Sequence, residues 1–128
     1  MFDKTAVSVA ESFIGIDRNG SKIKITTSQL RRIFDEVKRI ERILTVSPDQ
    51  WEAQYPYIKM IKYKVAYQVA RTSDEKGKFA EAKLYINLEK FICSCIDLVD
   101  NREKYSVFVA LFESVYGFYY EMITRNIK

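Results

Sequence analysis

The chain has 128 residues, a net charge of +4, 48% apolar residues and only four Gly and two Pro. That suits one domain with its own core and long uninterrupted elements. It contains no histidine, which removes the commonest general base, the commonest metal ligand and every Ser-His or Cys-His nucleophile pair.

The first helix is predicted from Phe2 to Phe13, with Val7, Ala10, Phe13 and Ile14 on one face. A break follows from Gly15 to Ile25, where Asn19-Gly20 is a turn signal and Ile14 and Ile16 could pair with Ile23 and Ile25. An isolated two-stranded hairpin is marginal, so a plain loop is expected. The second helix opens on Thr26 and Gln29, a capping-box spacing, and carries Leu30, Ile33, Phe34, Val37, Ile40 and Leu44 at helical intervals up to about Thr45. Ser47-Pro48-Asp49-Gln50 reads as the next start, with Ser47 as cap and Pro48 at the first helical position. Pro56 removes a backbone donor and crowds the preceding turn. The expectation is therefore a short turn near Trp51, a main helix from Tyr57 to Arg71, and a polar loop from Thr72 to Gly77. The fourth helix is predicted from Lys78 to Val99, with Leu84, Leu88, Phe91, Ile92, Cys95 and Val99 as its apolar stripe. After Asp100-Asn101 comes the fifth, from Glu103 to Ile123. Its apolar residues cover more than half the circumference, wider than an ordinary surface helix needs. Such a helix is either central in the bundle or shared with a partner. The fold class is thus all-α, about five helices in a single domain over residues 1–128; a compact bundle and an extended or swapped dimer both remain open.

Two cysteines are too few and too close for a disulfide framework. Cys93 and Cys95 point about 200° apart on a helix, so they form neither a chelate nor a redox pair. The longest apolar region, Val107 to Tyr120, contains Glu113 and is shorter than the roughly 20 residues a membrane span needs. Asp3, Lys4 and Glu11 interrupt any secretory core at the start. These features lead to the expectation of a reduced cytoplasmic location without membrane attachment. The adjacent carboxylates Asp35-Glu36 and Asp74-Glu75 do not make the convergent set that a metal nuclease requires, and Asp35 falls on one strip with Arg31, Lys38 and Arg42, where i,i+4 pairing explains it. The scattered glycines form no phosphate loop. No enzymatic activity, metal or cofactor is expected.

Charge is uneven. Residues 1–72 carry 13 Lys+Arg against 8 Asp+Glu, whereas residues 73–128 carry 8 against 9. The second helix places Arg31, Arg32, Lys38, Arg39 and Arg42 away from its apolar face; the third carries Lys59, Lys62, Lys64 and Arg71 among Tyr57, Tyr63 and Tyr67. Cations neutralise phosphates and tyrosine rings stack on unpaired bases. A solvated helical surface, with the tyrosines as core or amphipathic residues, explains the same pattern.

Three segments resemble the small-subunit family of the type III-A (Csm) CRISPR effector complex. They are Thr26-Thr27-Ser28-Gln29-Leu30-Arg31 with Ile33-Phe34 and Val37, then Tyr67-Gln68-Val69-Ala70-Arg71, then the aromatic run Phe108 to Tyr120. At the end of the last, Gly117-Phe118-Tyr119-Tyr120 stands where the family shows Ala-Tyr followed by basic residues and Gly-Gly. The resemblance implies a helical, non-catalytic subunit present in several copies, a homo-oligomer lining the path of guide RNA and target RNA beside other subunits of the complex. Arg31 and Arg71 match the family's basic positions. Arg32, Lys38, Arg39, Lys62 and Lys64 join them as RNA-binding candidates on physical grounds. The alternative is a helical dimerisation or adaptor protein without a nucleic-acid role, using the broad apolar face of the fifth helix.

Overall fold

The computed structural model describes residues 2–74 and 79–126. Among them run α1 (Phe2–Glu11), β1 (Ile14–Ile16), β2 (Lys22–Lys24), α2 (Thr27–Val46), a 3-10 turn (Pro48–Gln50), α3 (Trp51–Asp74), α4 (Phe79–Asp97) and α5 (Arg102–Asn126). The all-α expectation of five helices in a small bundle holds. No helix among the described residues is long and apolar enough to cross a membrane.

Helix α2 organises the bundle. Leu30, Ile33, Val37, Ile40 and Leu44 are all buried along it, and it packs against α3 on one flank and α5 on the other. α3 lies along α4, and α1 lies along α5. Helix α5 takes the central option: Tyr105, Phe108, Val109, Phe112, Val115 and Tyr119 are buried. Phe112 sits between Phe34 of α2 and Phe91 of α4, with ring centroids 5.5 and 6.0 Å away. The apolar breadth proposed for an adaptor surface is therefore largely consumed inside the fold. Two buried phenols on this helix find backbone acceptors, as a buried hydroxyl must. Tyr105 donates to the Val37 carbonyl at 2.7 Å, and Tyr119 donates to the Ile25 carbonyl.

Several local expectations are corrected. Residues 14–24 form an antiparallel hairpin rather than a plain loop, with Gly15 opposite Ile23. The hairpin is not isolated. It packs on α4, where a Cβ at Gly15 would sit 3.3 Å from Leu84. Its turn is held by Asp17 Oδ1, which accepts from the Asn19 and Ser21 backbone N–H groups at 2.9 Å each, and Gly20 there takes a positive φ of 81°. Pro56 does not end the helix, since α3 runs through it. Pro56 and Glu52 are both exposed, so the proline lies on the solvent side of the helix. Trp51 lies tilted against Tyr55 with ring centroids 5.3 Å apart, and the Lys59 ammonium sits over the Tyr55 ring at 5.1 Å, tying the two sides of the proline together. The same ammonium donates to the carbonyls of Ile96 and Val99 at 2.9 and 3.2 Å, closing the C-terminal end of α4. Ser47 makes no side-chain cap. Instead its N–H donates to the Ile43 carbonyl and its carbonyl accepts from Gln50. Thr72 to Asp74 extend α3 rather than beginning a loop; Thr72 is buried, and its hydroxyl donates to the Gln68 carbonyl at 3.0 Å. The rest of that expected loop, and the expected start of α4 at Lys78, lie outside the described residues.

Candidate nucleic-acid interface

The flank of α2 that faces α3 leaves an open groove of about 480 Å³. Gln29, Arg32, Ile33 and Glu36 recur on α2 at i, i+3, i+4 and i+7; Met60, Tyr63, Lys64 and Tyr67 do the same on α3, where Ile61, Gln68 and Arg71 complete the lining. Ile33 and Ile61 are buried and form the floor, while Arg32, Lys64 and Arg71 stand on the walls with Tyr63 and Tyr67. A second hollow of about 390 Å³ continues it towards the start of α2, sharing Gln29, Arg32, Gln68 and Arg71 and adding Thr26, Ser28 and Thr72.

The tyrosines of this face are not core. Tyr57, Tyr63 and Tyr67 are 50%, 72% and 62% exposed. The Arg71 guanidinium lies 5.8 Å from the Tyr67 ring centroid, an orientation that holds the cation over an aromatic face. Tyr63 and Tyr67, one helical turn apart, line the groove while Tyr57 lies outside it; exposing the two groove rings gives up burial that a folded chain would ordinarily take.

The seven basic candidates do not make one continuous surface. Arg32, Lys64 and Arg71 come together in the groove. Among the residues whose side chains are described, no acid lies within ion-pair distance of Arg32 or Arg71. Lys64 shares Glu36 with Arg39: the ammonium is 3.2 Å from Glu36 Oε2, and Arg39 donates to both carboxylate oxygens at 3.1 and 2.8 Å. The hydrogen bond from Arg39 is the main cause that keeps the Glu36 carboxyl below its ordinary pKa, with Lys64 adding to it against partial burial. Arg39 is thus fixed at the groove's end rather than free within it. Arg31 is exposed outside the groove, 4.0 Å from Asp35 in an i,i+4 pair that contributes little. Lys38 turns to the opposite flank, 3.4 Å from Glu113 of α5. Lys62 reaches Asp97 of α4 at 2.5 Å; the contact raises the lysine pKa and lowers that of the aspartate.

Catalytic chemistry finds no comparable arrangement. Among the described residues no three His, Cys, Asp or Glu side chains converge to hold a metal ion. Glu36 is tied to two cations, while Asp35 is exposed beside Arg31. Cys95 is partly buried against the core, and that burial pushes its thiol up to about 11. Glu75, half of the second carboxylate pair, lies outside the described residues.

Sequence reasoning missed Gln29, Met60 and Gln68 as groove residues. Gln29 had a sufficient explanation as a capping partner, and a neutral amide carries no charge signal. What would have found them is the i, i+3, i+7 spacing beside the apolar stripe, on the flank that the neighbouring helix leaves open.

A family model described as Csm2 Type III-A matches residues 5–122. The match covers both helices of the groove and nearly the whole bundle. The chain belongs to the Csm2 Type III-A family, the small subunit of the type III-A CRISPR complex. No curated protein and no solved structure gives a match. Membership accounts for the segments that resembled the family, and other subunits of a multi-subunit complex are accordingly its partners.

Proposed function

We propose that this Csm2 protein is a non-catalytic, RNA-holding subunit, and that its RNA contact is the groove between α2 and α3. One observation carries the reading: Arg32 and Arg71 stand unpaired by acids among the described residues, in a groove whose walls expose Tyr63 and Tyr67. Arginine neutralises phosphates without reading sequence, and exposed rings offer stacking faces to any unpaired base. Such a site suits guide RNA and target RNA of arbitrary sequence. Lys64 adds a third cation, moderated by Glu36. A few contacts per molecule make isolated binding weak; several copies held in one cytoplasmic assembly would gain by avidity.

The test is binding of a fluorescent single-stranded RNA to the purified protein across a salt series. Two to three phosphate contacts give a slope of log affinity against log salt of about −1.4 to −2.1. Affinity independent of salt would contradict the reading.

A further inference from the structure

The hydrogen-bond pattern at the head of the groove gives Gln29 an orientation that capping alone does not explain. Thr26 Oγ1 accepts from the Gln29 backbone N–H at 3.3 Å and donates its own proton to Gln29 Oε1 at 3.0 Å. From α4, the buried Tyr85 hydroxyl accepts from the Thr26 backbone N–H at 3.1 Å and donates to the same Gln29 Oε1. Both hydroxyl protons therefore converge on one amide oxygen, and the side-chain amide is held oxygen inward. Its NH2 group is then the end left for the groove. Among the described residues nothing accepts from it, and Gln29 lines both hollows beside Arg32 and Arg71. Guanidinium groups are donors only and cannot satisfy an amide NH2. In the open groove its acceptor is water or a group of a bound ligand.

We infer that Gln29 is a contact residue for an oxygen of the nucleic-acid backbone, and that Tyr85 is the positioning residue that aims it. This rests on the RNA reading of the groove and deepens it. Gln29 differs from the cations in kind. A neutral donor displaces no counterions, so its contribution is independent of salt, whereas each arginine contributes to the salt slope. It also has a fixed direction, because two hydroxyls hold its other end.

The experiment measures single-stranded RNA affinity over the same salt series for wild type, Gln29→Ala and Tyr85→Phe. The expected result for Gln29→Ala is an affinity lower by about 3- to 10-fold at every salt concentration, the effect of one neutral hydrogen bond, with the slope unchanged. Tyr85→Phe keeps the amide but frees it, and gives a smaller drop with the same parallel displacement. Gln29→Met, which preserves side-chain length, carries the same expectation as alanine and serves if alanine impairs folding. Repeating the series with DNA of equal sequence identifies the oxygen. An equal loss on both supports a phosphate oxygen, and a loss on RNA alone supports the ribose 2′-hydroxyl. Two outcomes overturn the inference while leaving the groove reading intact: no change in affinity, or a change in slope, which would mean that Gln29 acts by placing the arginines. A flat salt dependence in the wild-type protein overturns the reading beneath it instead.

Discussion

Helix α2 has two seams, and the same residue types are used in opposite ways along them. On the α5 side, tyrosines are buried with their hydroxyls donated to backbone carbonyls, as for Tyr105. Cations there are spent on acids, with Lys38 3.4 Å from Glu113 and Arg102 2.8 Å from Glu41. On the α3 side, Tyr63 and Tyr67 stay exposed and Arg32 and Arg71 meet no acid among the described residues. The first seam satisfies its polar groups within the fold, and the unused interaction capacity resides in the second. A tyrosine or a lysine in this chain therefore carries no function by type; the partner its neighbouring helix supplies decides.

The largest expected effect tests the closed seam. Phe112 is fully buried between Phe34 and Phe91, so Phe112→Ala should cost about 3–5 kcal/mol in denaturant unfolding. On the open seam, Tyr63→Ala should change stability by less than about 0.5 kcal/mol. It should weaken single-stranded RNA binding by about 1–3 kcal/mol if its ring stacks on a base. A stability loss at Tyr63 as large as that at Phe112 would erase the distinction between the seams. A finer comparison uses only hydroxyls. Tyr105→Phe removes the buried bond to Val37 and should cost about 1 kcal/mol, whereas Tyr63→Phe, exposed and unbonded, should be neutral.

The smallest effect concerns Glu36, where the open seam touches its own acid. Its folded-state pKa lies below the ordinary 4.5 because Arg39 and Lys64 hold the carboxylate charged. The stabilisation is therefore fully present above the unfolded-state pKa and is lost as pH falls through the lower folded-state value. Melting temperatures of wild type and Glu36→Gln should differ at neutral pH and converge below pH 4.5. The same substitution frees Lys64 and should tighten RNA binding slightly.

Most of the fold was legible because local chemistry agreed with the outcome. The cap at Thr26, the stripe from Leu30 to Leu44 and the breadth of α5 each follow from residues close in sequence. The errors came where distant residues decided. The hairpin at 14–24 packs on α4, and Pro56 falls on the solvent side of a helix that packing against α4 carries through it. The groove is the same case on a larger scale. Periodicity placed Arg32 and Arg71 on outward faces, but only the packing of α2 on α3 sets them in one hollow and turns Lys38 and Lys62 to acids of α5 and α4. Gln29 depended on Tyr85, far along the chain, whose role no local pattern contains.

Charge-matched pairs of substitutions test the central claim most directly. Arg32→Ala with Arg71→Ala and Lys38→Ala with Lys62→Ala each remove two positive charges, from the open groove and from the acid-paired flanks respectively. The account predicts that the salt slope for single-stranded RNA falls by about 1.4 in the first pair and stays at the wild-type value in the second. Equal slopes in the two double variants would show that RNA responds to net charge alone, and would contradict the groove.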